Sequence, residues 1–254
     1  MAMADLVREQ RRGKFTASQF YRLMGGSAGY VTCEFTSAHT CYERVKIGDS
    51  FEYVPMQEAH KTKKCWKRDD SFLPSGADTY IIEKVAELRD SERAESYTSF
   101  AMQYGIDTEP MAIAAVEAKR GLTLDHTGDN QVFFSDDNSG ATPDGVEYKD
   151  GSFNIAATHD VKCPTAHIHT FNCLKVITAS DLEAYYPVYF WQVIGQLLHT
   201  GANVGFWHSY RRYHESRELH TVIVERDDDK INALKHRIIL ATERKNSYIS
   251  QLSH

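Results

Sequence analysis

"GATPDGVEYKDGSFNIAATHDVKCP", residues 140–164, carries Pro143-Asp144 and, further on, Asp160-Val161-Lys162. Within it, ATPDGVEY (141–148) and FNIAATHDVK (153–162) are rich in branched and aromatic residues and are divided by the turn signal Asp150-Gly151. This pattern predicts two strands. Asp144 sits between Pro143 and Gly145, where a strand begins or turns. Asp160 and Lys162 are two apart, so on a strand both side chains leave the same face. If the strands pair, two carboxylates and an ammonium meet within a few ångströms. Hard cations such as Mg²⁺ take oxygen ligands, often one or two carboxylates completed by water and substrate phosphate. A lysine beside them can orient or deprotonate a water. A hairpin with mixed surface charges accounts for the same spacing, because both strings are short and common. From spacing alone, both readings stand.

The flanking segments set the fold class. On the N-terminal side, FTASQFYRLMGG predicts a short helix capped by Thr16 or Ser18 and stopped at Gly25-Gly26. Residues 27–76 scatter aromatics, Cys and His among charges and are read as an insertion with little secondary structure. DTYIIEKVAELRD predicts a helix capped by Asp78, with Ile81, Ile82, Val85 and Leu88 on one face. SFAMQYGIDTEPMAIAAVEAKRG predicts another, bent or restarted at Pro110 and ended by Gly121. QVFFS (131–135) predicts a strand. Beyond the quoted stretch, SDLEAYYPVYFWQVIGQLLHTG reads as helix, with Pro187 marking a kink or a late start. NVGFWHSY and LHTVIVER read as strands, and a terminal helix opens on Asp residues that suit its dipole. Helices, a meander, a helix, two strands and a helix fit an α/β fold with a central mixed sheet flanked by helices.

At 254 residues the chain suits one domain, 1–254, with the insertion at about 27–76. Neither a signal peptide nor an apolar run of membrane-spanning length is evident, so no membrane association and a cytoplasmic location are expected. Five cysteines (Cys33, Cys41, Cys65, Cys163, Cys173) at irregular spacing predict reduced thiols. The net charge of −6 argues against a generic polyanion binder and allows a local basic groove.

Taken in order, FTAS, GIDTEP, ATPDG, DVKCP and YFWQVIGQLLHTG resemble the phage lambda exonuclease family, the YqaJ-like viral recombinases of the PD-(D/E)xK nuclease superfamily. The resemblance runs from about Arg11 to residue 231, weakest over 27–76. It implies a restriction-endonuclease-like core and an enzyme that digests duplex DNA from 5′ ends, releasing mononucleotides and leaving 3′ single strands for recombination. It also implies Mg²⁺, for which Mn²⁺ can substitute, a homotrimeric ring, a single-strand annealing recombinase as partner, and a phage or mobile-element gene expressed in a bacterial host cell. Residue by residue, Asp144 and Asp160 match the two central metal ligands, Glu109 the helix-borne carboxylate, Lys162 the catalytic lysine and Gln192 a glutamine lying over the site. The strand carbonyl of Val161 completes the ligand set. Arg11, Ser18 and Thr142 fall where the family binds the terminal phosphate, with Arg12 an alternative to Arg11.

Asp160 stands where the family usually has Glu, Thr142 replaces a common Ser, and the second glutamine of the family's helix is displaced to Gln196. Two other functions fit the residues. One is an endonuclease or structure-specific nuclease using the same site. The other is a zinc-organised nucleic-acid-binding module with ligands among Cys33, His39, Cys41, His60 and Cys65, although no CxxC pair is present and tetrahedral sites usually show tighter spacings. HKTKKCWKR, residues 60–68, is a basic run in an acidic chain that suits either duplex phosphates or solvent.

Overall fold

The computed structural model describes residues 9–25, 30–38, 40–48, 50–56, 64–68, 73–90, 100–149, 152–215 and 217–253. In chain order its strands are β1 (Phe15–Thr16), β2 (Tyr30–Cys33), β3 (Tyr42–Ile47), β4 (Ser50–Pro55), β5 (Cys65–Arg68), β6 (Phe134–Ser135), β7 (Ser139–Ala141), β8 (Gly145–Tyr148), β9 (Ile155–Lys162), β10 (Val204–Tyr210) and β11 (Leu219–Glu225). Its α-helices are α1 (Tyr21–Met24), α2 (Ser75–Arg89), α3 (Phe100–Arg120), α4 (Ala166–Lys175), α5 (Ala179–Tyr185), α6 (Pro187–Thr200) and α7 (Asp228–Gln251).

The two segments of the quoted stretch do pair. β8 and β9 are antiparallel with Gly145 opposite His159, and the sheet continues in the order β11-β10-β9-β8. β9 runs parallel to β10, with Asp160 opposite Trp207, and β10 is antiparallel to β11. The sheet is therefore mixed and helix-flanked, as expected. β9 is buried along most of its length because both faces are covered. On one face Val193, Ile194 and Leu197 of α6 join Trp207, Val222 and Val224, backed by Ile231, Leu234 and Ile238 of α7. On the other, Ala112, Ile113 and Val116 of α3 pack with Leu124, Val161 and Tyr210. Burial of these aliphatic and aromatic side chains, each worth about 1.5–3 kcal/mol, fixes the helices that flank β9.

Helix boundaries follow local chemistry. Thr178 and Asp181 form a reciprocal capping box on α5. Pro187 opens α6, where its missing N–H costs nothing, and Gly201 ends it at φ +71°. The proline therefore marks a new helix rather than a kink. Pro110 lies inside a continuous α3, which Gly121 follows at φ +70°.

Three expectations are corrected. FTAS does not open a helix: Phe15 and Thr16 pair in parallel with Ser139 and Gly140, and a 3-10 turn (Ala17–Gln19) precedes the single-turn α1. Thr16 holds the cap position without a side-chain cap bond; its N–H donates to the Tyr80 hydroxyl at 2.8 Å. Tertiary pairing overrides the local capping signal. In α2 the inward face is Ala77, Tyr80, Ile81 and Val85, whereas Ile82 and Leu88 are exposed, and Asp78 lies inside the first turn. The insertion is also not irregular: β2, β5, β3 and β4 form their own four-stranded sheet. It lacks the apolar alternation that announces strands, because among the described residues of 30–68 only Cys41 and Cys65 are buried.

Candidate active site

Strand alternation places Asp160 and Lys162 together. Lys162 Nζ lies 2.7 Å from Asp160 Oδ2, and Asp160 is fully buried. The other oxygen, Oδ1, accepts from Gln192 Nε2 at 2.7 Å and from Gln196 Nε2 at 3.1 Å. These glutamines are four apart on α6, hence on one helical face. Among the described residues Asp160 Oδ2 has no partner beyond the lysine ion pair. A buried carboxylate oxygen left in this way fits a cation ligand.

Asp144 approaches from the start of β8. Its N–H donates to His159 O at 2.8 Å, and its Oδ2 accepts the Val161 N–H at 2.7 Å. Glu109 comes from α3. Gln131 Nε2 bridges the two, 3.3 Å from Asp144 Oδ1 and 3.5 Å from Glu109 Oε1. Among the described residues the three carboxylates do not all meet within 4.8 Å.

The electrostatics are those of carboxylates crowded in low dielectric. Burial, then the charge of Asp160, pushes Asp144 up to about 7 against the opposing pull of Lys162 and the Val161 N–H. Burial likewise raises Glu109, with Lys162 opposing and Asp160 adding to the rise. For Lys162 burial works downward, but Asp160 and Asp144 outweigh it, and its pKa is raised. The ammonium stays charged.

The N-terminal segment reaches this site. Arg11 Nη2 hydrogen-bonds Thr142 Oγ1, two residues before Asp144, while its Nε is buried with no hydrogen-bond partner among the described residues. Its guanidinium stacks over Phe133 at 5.5 Å. Burial lowers the Arg11 pKa and the Asp144 charge raises it, which puts the two groups in electrostatic contact. Ser18 is exposed on the 3-10 turn that packs against α6. Arg12 turns away to the carbonyls of Glu87 and Asp90 at 2.7 and 3.1 Å, so of the two arginines Arg11 alone faces Thr142.

No family model matches the chain, and no curated protein matches it in sequence. Its similarity to solved structures is extensive. An alkaline exonuclease, LHK-Exo from Laribacter hongkongensis, superposes with a TM-score of 0.66 at 17% identity over 98% of this chain and 96% of that one. The same exonuclease in complex with dAMP gives a TM-score of 0.66 at 19% identity over 98% and 95%. A phage-related exonuclease from Haemophilus somnus 129PT gives 0.62 at 15% identity over 94% and 96%. This chain has the exonuclease fold. At these identities the likeness establishes architecture, and the site's chemistry has to be argued from its own residues.

Of the residues singled out in the sequence, Asp144, Asp160, Val161, Lys162 and Gln192 converge directly. Glu109 joins through Gln131, and Arg11 and Thr142 join each other. Gln196 and Gln131 are additions. The four-residue step from Gln192 to Gln196 within a helix was a legible signal for the first, whereas Gln131 lies in a coil segment with no periodicity to betray it. On the opposite face of β9, buried His159 bridges His208 at 2.9 Å and Glu147 at 2.9 Å, with Arg120 pairing Glu147. Burial pushes His159 down to about 4, so it is neutral where it joins Glu147 and His208 across the sheet.

Proposed function

We propose that the chain is a divalent-metal-dependent deoxyribonuclease that digests linear duplex DNA 5′ to 3′, releasing 5′-mononucleotides and leaving 3′ single strands. The observation that carries this reading is the acid excess around Lys162. Three carboxyl groups crowd one ammonium, burial and then the Asp160 charge raise the pKa of both Asp144 and Glu109, and the buried Asp160 Oδ2 has, among the described residues, only Lys162 Nζ at 2.7 Å as partner. Oxygen donors of this kind suit Mg²⁺, with Mn²⁺ as a substitute. Such an ion, when bound, activates water and stabilises the leaving oxygen.

The chain's residues supply the rest. Asp160, fixed at Oδ1 by two amides and paired at Oδ2 with Lys162, would serve as a ligand together with Asp144, Glu109 and the Val161 carbonyl. Lys162 is held charged, which supports its positioning the attacking water and offsetting charge on the phosphoryl oxygens over its acting as a base. Asp144, Asp160 and Lys162 confer no direction, so polarity needs a separate end-binding group. Arg11 offers a forked donor whose Nε has no partner among the described residues, and Thr142 a hydroxyl two residues before Asp144; together they suit a terminal 5′ phosphate, with exposed Ser18 on the 3-10 turn as a further candidate donor. Resemblance to the lambda exonuclease family extends the proposal to a homotrimer that passes its 3′ strand to an annealing recombinase; light scattering tests the first.

The test uses two end-labelled duplexes differing only in a 5′ phosphate. The phosphorylated duplex is expected to shorten faster and from its 5′ end, and Arg11→Ala to remove most of that difference while Mg²⁺ still binds. Shortening from the 3′ end overturns the polarity, and indifference to the phosphate overturns the pocket.

A further inference from the structure

The sheet β2-β5-β3-β4 has a problem that its own residues do not solve. It spans Tyr30 to Arg68, its strands pack chiefly on one another, and among its described residues only Cys41 and Cys65 are buried. Its aromatic side chains make a half-exposed stack, with Tyr30 on Tyr53 at 4.0 Å and Trp66 edge-on to Tyr53 at 6.0 Å. A unit below about 40 residues rarely holds together on apolar burial alone and usually needs a disulfide, a metal or a partner.

Its three cysteines meet in one place. Cys33 ends β2, Cys41 immediately precedes β3 and Cys65 opens β5, so the site ties three strands. All three sulfurs lie within 4.8 Å of one another, and Cys33 Sγ is 3.3 Å from Cys65 Sγ. Thiolates around a tetrahedral zinc, at about 2.3 Å from the ion, stand about 3.8 Å apart. The Cys33–Cys65 distance is about half an ångström shorter than that, and the 4.8 Å bound on the other pairs is compatible with it. The thiols hydrogen-bond weakly to carbonyls, Cys65 Sγ to Cys33 O at 2.9 Å and Cys41 Sγ to Thr36 O at 3.6 Å. They are free of disulfides.

We propose that Cys33, Cys41 and Cys65 bind one structural Zn²⁺ that staples this sheet. The long sequence intervals that argued against a zinc module are bridged by strand pairing: β2 and β5 are antiparallel with Cys33 directly opposite Cys65, and Tyr42, next to Cys41, pairs with Trp66, next to Cys65. Soft thiolates select zinc where the carboxylates around Lys162 select a hard cation, so the chain sorts two metals into two sites. His39 and His60, the other candidate ligands, lie outside the described residues; the fourth position goes to one further donor or to water.

The test is metal analysis of the untagged full chain grown with zinc and purified in reducing buffer. One zinc per chain is expected. It is expected to be lost in Cys41→Ser and Cys65→Ser and kept in Asp144→Asn and in Cys163→Ser, which separates this site from the carboxylates and from unrelated thiols. Replacement by Co²⁺ is expected to give a thiolate-to-cobalt charge-transfer absorption in the near ultraviolet, a readout that does not depend on whether the serine variants fold. Wild-type protein free of zinc, an intact mass short of two hydrogens from a Cys33–Cys65 disulfide, or zinc retained in the Cys41→Ser, Cys65→Ser double variant would each overturn the proposal.

Discussion

Asp144→Asn separates the two things that a metal-binding carboxylate does: it binds the ion and it burdens the ion-free fold. Crowding moves Asp144 from its ordinary 3.8 to about 7. Each tenfold in proton affinity is worth about 1.4 kcal/mol, which puts the displacement near 4 kcal/mol. Solvent screening at this half-buried group reduces the recoverable part to about 1–3 kcal/mol. Since the folded chain holds this proton more tightly than the unfolded chain, the contribution is fully present below about pH 4 and is lost as pH rises through 7. Asn mimics the protonated acid and keeps an oxygen for the Val161 N–H. In magnesium-free buffer, urea unfolding should therefore find the variant equal to wild type near pH 4 and more stable by about 1–3 kcal/mol at pH 8. Adding Mg²⁺ at pH 8 should stabilise wild type and leave the variant unmoved. A variant less stable than wild type at pH 8, or a difference that does not change between pH 4 and 8, would refute the reasoning.

Other substitutions test neighbouring links. Lys162→Met removes the ion pair of a fully buried Asp160. It should cost about 3–5 kcal/mol without magnesium and lower turnover by at least about 100-fold, read by urea titration and nuclease rate. Gln196→Leu strips one of two amide donors from Asp160 Oδ1; a loss of about 1–3 kcal/mol is expected, and unchanged stability would mean that Gln192 suffices. Gly195→Ala would drive a methyl to 2.6 Å from the Phe20 ring and 2.9 Å from the Ala17 methyl. Overpacking of about 1–3 kcal/mol should outweigh the helix-propensity gain of about 1 kcal/mol, so a raised Tm would contradict the tight seating of the 3-10 turn on α6.

How far the sequence could be read depended on how the information was stored. The juxtaposition of Asp160 with Lys162 was legible because strand alternation is a local rule, and the structure pairs β8 with β9 as the pattern predicts; spacing alone left a metal site and a surface hairpin both open. The helix order and the mixed sheet were legible from apolar periodicity, whereas Pro187 fitted either a kink or a late start until the structure showed a new helix. Phe15-Thr16 was not, since its strand exists only through pairing with β7, formed more than a hundred residues later. Ile82 and Leu88 looked like core on spacing, but Tyr80 and Ala77 take the inward positions of α2. The sheet over residues 30–68 was invisible because it buries almost nothing apolar. Gln131 reaches Glu109 and Asp144 from a coil, where no period exists to mark it.

The central claim is an end-dependent, metal-dependent deoxyribonuclease, and one assay addresses both parts. Linear and covalently closed circular duplexes of the same sequence are incubated with the protein in Mg²⁺, with wild type and Asp160→Asn side by side. Wild type should convert the linear duplex to mononucleotides and residual 3′ single strands and spare the circle, and Asp160→Asn should leave both substrates intact. Degradation of the closed circle would place the same residues in an endonuclease, and digestion of linear DNA by Asp160→Asn at the wild-type rate would contradict the site itself.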